Sequence, residues 1–159
     1  MKATILTSII ALGLSAAAGA EPQKVDAFNF VRAETDRYFD MIVKRNGGLG
    51  ILSHERKPLP PDARVIVRIN RDTLYSSSIH DLAAGPVKVS MPENPDGRYQ
   101  TLQVISQDHF TPFLIHEGTL ELTQENVGTR YVLVSARTFL IRQTRPTSRR
   151  HMRCRMASR

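Results

Sequence analysis

The spacing of hydrophobic and polar positions changes once along this chain. From Asp26 to Val43, Phe28, Val31, Thr35, Tyr38, Phe39 and Ile42 recur at helical intervals. This predicts an amphipathic α-helix with one apolar stripe, which reads as packing surface. Arg32, Glu34, Asp36, Arg37 and Asp40 fall mostly away from the stripe. Asp26 suits the N-cap, Lys44 and Arg45 suit the C-terminal dipole, and Asn46-Gly47-Gly48 supplies the stop. Gly47 to Ala63 reads as a loop, because Pro58-Leu59-Pro60-Pro61 can neither continue a helix nor pair in a central strand. After Ala63 the period becomes two. Strands are predicted near 64–70, 73–80, 86–91, 98–107, 110–115, 119–123 and 129–138. The cluster from Pro92 to Gly97 carries an Asp-Gly step that suits a hairpin, and Thr123 with Gln124, Glu125 and Asn126 reads as one capped helical turn before Gly128. Short strands at this spacing, joined by polar turns, point to a mainly β fold of the sandwich type.

The stretch from Val65 to Leu82 holds the first candidate chemistry. Two apolar runs flank a polar knot of Arg68, Asn70, Arg71 and Asp72, with the Tyr75 hydroxyl beside it. Charged side chains are depleted in strand interiors, so the knot is either a mutually satisfied network that anchors strand pairing or one wall of a ligand site. Arginine holds carboxylates in two-pronged pairs, which would suit an anionic ligand. Ser76-Ser77-Ser78 lacks the Gly-x-Ser-x-Gly frame of a nucleophile elbow and reads as alternating strand hydroxyls. Asp108 and His109 are the catalytic candidates, since an aspartate can orient an imidazole that acts as a general base. Adjacent strand residues face opposite sides, so these two meet only at a bend, and Thr111-Pro112 nearby makes one available. Arg130 and Arg137, seven apart in the last strand, fall on opposite faces and serve either an anionic ligand or surface ion pairs. His54, His80, His109 and His116 show no metal-ligand spacing, so no metal and no cofactor is expected. Gly47-Gly48-Leu49-Gly50 has no preceding strand and no Lys-Ser/Thr, and is a loop rather than a phosphate cradle.

The N-terminus and the charge distribution bound the partners. Lys2, the apolar run Ile5–Leu14 and the small residues Ala18-Gly19-Ala20 form a secretory signal over residues 1–20, cleaved after Ala20. The alternative, an uncleaved anchor, is opposed by the shortness of the apolar run. Export to the periplasm or medium is therefore expected, with no stable membrane anchor after cleavage. The net charge of +7 equals the seven arginines from Arg142 to Arg159, while Glu21 to Ile141 carries 14 basic and 15 acidic side chains. A basic tail on a near-neutral body argues against nucleic acid as the domain's partner. Cys154, the sole cysteine, also lies in the tail, so the body has no disulfide.

Asn29–Phe39, Val67–Ser78, Asp81–Pro92, Arg98–Pro112 and Val127–Thr138 together resemble the N-terminal domain of the family known as domain of unknown function 1254. The carrying motifs are Asn-Arg-Asp-Thr-Leu-Tyr at Asn70–Tyr75, Gln-Asp-His at Gln107–His109, and Gly-Thr-Arg-Tyr-Val at Gly128–Val132. The resemblance implies an immunoglobulin-like β-sandwich after a leading helix over residues 21–139. It also implies continuation into a second, jelly-roll domain, and carries no established reaction. Past Phe139 the chain departs from the family pattern. Back-translated with suitable codons and read two bases later, Gln143–Ala157 becomes Asp-Pro-Thr-Asp-Val-Ala-Thr-Ala-His-Ala-Leu-Gln-Asp-Gly, which resembles the family. A frameshift near residue 140, leaving an Arg-rich disordered tail over 140–159, is therefore expected, against the rival of a genuine basic tail.

Three functional readings follow. The first is an exported small-ligand-binding or accessory domain, cut from a two-domain parent, with a small anionic ligand as partner. The second is a hydrolase-like enzyme using Asp108 and His109 with an arginine. The third is a truncation product without function.

Overall fold

The computed structural model describes residues 23–60, 62, 70–95 and 97–140. The predicted signal, residues 64–69 of the strand predicted near 64–70, with Arg68, and residues 141–159 of the tail, with Cys154, lie outside these residues. The architecture is mainly β, with two antiparallel sheets and one long helix. Among the described residues no helix is long and apolar enough to cross a membrane.

The helix, α1, runs Phe30–Asn46 and starts a turn later than its sequence predicts. Asp26 does not cap it. The Asp26 carboxylate accepts from the backbone N–H of Phe28 (2.8 Å) and Asn29 (3.3 Å), which closes a turn ahead of the helix. Thr35 and Phe39 are buried against the sheet, but Phe28 is 99% and Val31 49% exposed. The stripe is thus used only in the later part of the helix, the part that lies over the sheet. Gly47 ends α1 at φ 88°, where its N–H donates to Val43 O at 3.0 Å. The C-terminus is tied down by Asn46 Nδ2 to Ser77 O (2.7 Å) and Arg45 Nη2 to Ser77 Oγ (2.9 Å).

The strands are β1 Ser53–His54, β2 Thr73–Asp81, β3 Val87–Met91, β4 Gln100–Ser106, β5 Phe113–Ile115, β6 Gly118–Leu122 and β7 Tyr131–Phe139. The larger sheet has the order β1-β2-β7-β4-β5, and β3 pairs with β6 in a sheet of two. β1 falls inside the predicted loop; two residues are too few to show a period. The Asp-Gly cluster is not a hairpin. Pro92 to Gly97 carries the chain from one sheet to the other, since β3 pairs with β6 and β4 with β7 and β5. Pairing β3 with β4 would place their apolar faces in one layer, with nothing opposite to bury them. The observed crossing sets Met91 of β3 and Leu122 of β6 in one buried cluster with Leu102 and Val104 of β4 and Val132 and Val134 of β7. The capped turn is found as predicted. Gln124–Val127 forms α2, with Thr123 Oγ1 accepting from Asn126 N (3.2 Å) and Asn126 Oδ1 from Thr123 N (2.9 Å). It delivers Val127 to the core.

Candidate functional site

Strand alternation makes β2 two-sided. Ser77 and Ile79 turn toward α1, while Ser76, Ser78 and His80 turn the other way, level with Ala136, Val134 and Val132 of β7. This second face floors a cleft of about 550 Å³ between the larger sheet and β3. Val89, Met91 and Leu102 form apolar walls, with Lys88 and Ser90 of β3 at the rim. Two serine–histidine pairs cross the floor. Ser78 Oγ lies 2.8 Å from His80 Nε2, and Ser76 Oγ lies 2.7 Å from His54 Nδ1, brought in by β1. Gly50 covers His80 on one side. At φ 73° its N–H reaches Ile79 O (2.7 Å), and a Cβ there would stand 4.0 Å from His80 Nδ1.

Burial pushes the His80 imidazole below its ordinary value, so at neutral pH it is uncharged. The stability that depends on this neutral ring is complete above the ordinary histidine pKa of about 6.5 and is lost as pH falls through the lower folded value. Melting temperature should therefore fall on acidification, and His80→Gln should make that part of the profile flatter. An unchanged profile in the variant would show that His80 does not control it.

A second cavity, of about 270 Å³, lies between α1 and the sheet and is lined by Phe39, Val43, Ile79 and Tyr131 with Asp36 and Gln107. Its polar edge is already satisfied, since Gln107 Nε2 donates to Asp36 Oδ1 at 2.6 Å. It is a packing gap at the helix seat.

The candidates from the sequence are dispersed. Asn70, Arg71 and Asp72 are exposed in the turn before β2, not buried in a strand. Asn70 Oδ1 accepts from Asp72 N (2.8 Å) and Asn70 Nδ2 donates to Thr73 Oγ1 (3.1 Å), so the asparagine shapes this turn. Asp108 and His109 do sit at a bend after β4, where His109 has φ 64°. The bend does not join them. Asp108 is bonded by Arg32 of α1 (Nε at 2.7 Å), and His109 is exposed. Neither lines either of these two cavities. Arg130 clasps Asp81 with two bonds, 2.9 and 2.7 Å, and lies over the Tyr131 ring. That guanidinium holds the Asp81 carboxyl below its usual range. Arg137 and Tyr75 do come together, cation over ring at 5.6 Å, on the α1 side of the sheet. Among the described residues no group of three or more His, Cys, Asp or Glu is placed to hold a metal ion.

The cleft residues His54, Ser76, Ser78 and His80 were not among those candidates. Their signal was present, because Ser-x-Ser-x-His at intervals of two puts three polar side chains on one strand face. An otherwise apolar inner face makes such a row informative.

A solved structure, the VPA0106 protein from Vibrio parahaemolyticus, resembles this chain with a TM-score of 0.50 at 20% identity, a likeness of fold. The likeness covers 70% of this chain and 30% of that one, so this chain spans about a third of its length. No curated protein matches the chain. Residues 50–151, well over half of the sequence, match the family described as protein of unknown function, DUF1254, and the chain belongs to that family.

Proposed function

We propose that this chain is an exported domain that holds a small polar ligand in the cleft between its sheets. One observation carries the reading. The floor of a cleft with apolar walls and a rim of Lys88, Ser90, Gln100 and Thr138 bears two hydroxyls and two imidazoles in paired contact, and pockets of this size with a few convergent polar groups suit small molecules. The sheet crossings and the shared core favour an immunoglobulin-like sandwich as its frame. The hydrolase reading has less support, because the Asp108 carboxylate is engaged by Arg32 rather than by His109.

The test is a thermal-shift screen of small metabolites on the chain from Glu21. A ligand that raises the melting temperature of the parent should bind roughly tenfold more weakly to Ser76→Ala or Ser78→Ala for each hydrogen bond lost. Full retention of affinity in the double variant would place the ligand elsewhere and overturn the proposal.

Two further parts of this reading concern the ends of the chain. Export rests on the residue pattern of 1–20, and predicts a periplasmic or secreted product beginning at Glu21. The proposed frameshift rests on the codon pattern after Phe139, which restores a family-like sequence and with it a longer, two-domain parent. The family match reaches residue 151, into the same tail, and so favours the frame as it stands. Sequencing the gene decides: an open downstream frame coding a second domain supports the shift, and its absence rejects it.

A further inference from the structure

We infer that Arg137 is the heart of a second site, on the opposite face of the same sheet from the cleft, which takes the carboxylate or phosphate group of a small molecule. Arg130, on the same segment of chain, shows what a completed arginine site looks like in this fold. It lies over Tyr131 at 4.9 Å, and both ends of its fork are bonded to the Asp81 carboxylate. Arg137 has the first half of that arrangement and lacks the second. It lies over Tyr75 at 5.6 Å, but its Nη2 donates to a neutral amide, Gln103 Oε1, at 3.0 Å. Gln103 is itself oriented, since its Nε2 donates to Thr111 Oγ1 at 3.0 Å.

The missing charge matters because of burial. Arg32, Arg37, Arg45 and Arg130 are exposed, and each pairs with a carboxylate. Arg137 is half-buried and has no carboxylate partner among the described residues, and its Nε is buried without a hydrogen-bond partner. A part-desolvated guanidinium that meets no counter-charge among the described residues is unfavourable, and an oxyanion that takes the place of the Gln103 amide at this guanidinium removes the imbalance. The surroundings suit an anion. On this face the adjoining row holds Ser77 and Arg45, with Glu55 already taken by Arg45 at 2.8 Å. Thr101, level with Arg137 on β4, brings a hydroxyl and no charge.

The experiment compares citrate, inorganic phosphate and chloride, at equal ionic strength, as ligands of the chain from Glu21 and of Arg137→Gln and Arg137→Lys. Melting temperature and calorimetric titration are the readouts. Citrate or phosphate should raise the melting temperature above chloride in the parent, and the rise should vanish in Arg137→Gln. Arg137→Lys should bind at least tenfold more weakly, because a point charge cannot form the fork. Preference for citrate over phosphate assigns a carboxylate ligand, and the reverse a phosphate. An equal rise in the parent and Arg137→Gln, or no rise with either anion, would overturn the inference. Ser78→Ala should leave this response intact, which separates it from the cleft.

Discussion

Leu122→Ala should destabilise the fold by about 3 kcal/mol, a fall in melting temperature of roughly 10 °C for a chain of this size. Leu122 has 0% exposure and belongs to the cluster formed with Val104, Val132 and Val134 of the other sheet. Its strand pairs only with β3 among the described residues. A two-stranded sheet is marginal alone, so β3 and β6 depend on this packing to stay docked. Domains of this kind retain only about 5–15 kcal/mol of net stability, so the loss is a large share. Urea unfolding of the chain from Glu21 measures it, with Leu114→Ala as the reference. Leu114 is 54% exposed on β5, and its truncation should change stability by no more than about 0.5 kcal/mol. Equal effects at the two positions would mean that the sheets do not share a core.

Gln107→Met should remove about 2 kcal/mol and loosen α1 selectively. Gln107 is 7% exposed and joins three parts of the fold. Its N–H donates to Thr129 Oγ1 (3.1 Å), its Nε2 to Asp36 Oδ1 of α1 (2.6 Å), and its Oε1 accepts from Tyr131 N at the start of β7 (3.0 Å). Methionine keeps the length and apolar stem but leaves the Tyr131 N–H without its acceptor. Hydrogen exchange should accelerate across Phe30–Asn46 and at Tyr131 while the β4–β7 ladder stays protected. Gln107→Glu keeps the acceptor yet sets a second carboxylate against Asp36. Its deficit relative to the parent should shrink as pH falls into the carboxylate range, because protonation removes the repulsion. Uniform acceleration of exchange in the methionine variant would reject the local role of Gln107.

Several elements were legible because their signals are local. The predicted strand near 86–91 appears as Val87–Met91, where burial alternates residue by residue, and that near 73–80 appears as Thr73–Asp81, a strand covered on both faces with Ser77, Ser78 and Ile79 buried in a row. The Thr123 turn was legible for the same reason: a short side chain and its partner three residues on close the turn by themselves. The start of α1 was misjudged because Asp26 satisfies nearby backbone donors equally well in a turn as in a helix. The site was less legible. The knot from Asn70 to Asp72 looked buried because the residues around it are apolar, yet it occupies the exposed approach to β2. Asp108 and His109 are neighbours in the chain, but the aspartate is claimed by Arg32, a residue 76 positions away.

Residue order alone determined the mainly β class, the leading helix, the positions of most strands and the family. It also carried the Ser76, Ser78, His80 row, since period two puts them on one face whatever the rest of the chain does. Only the tertiary structure decided that β3 leaves the sheet of β4 to pair with β6, that this face of β2 floors a cleft, and that Arg130 finds a carboxylate while Arg137 does not. The physical reason is one of range. The period of a segment depends on residues a few positions apart, whereas the neighbour of a strand and the partner of a charge depend on which distant faces must be buried together.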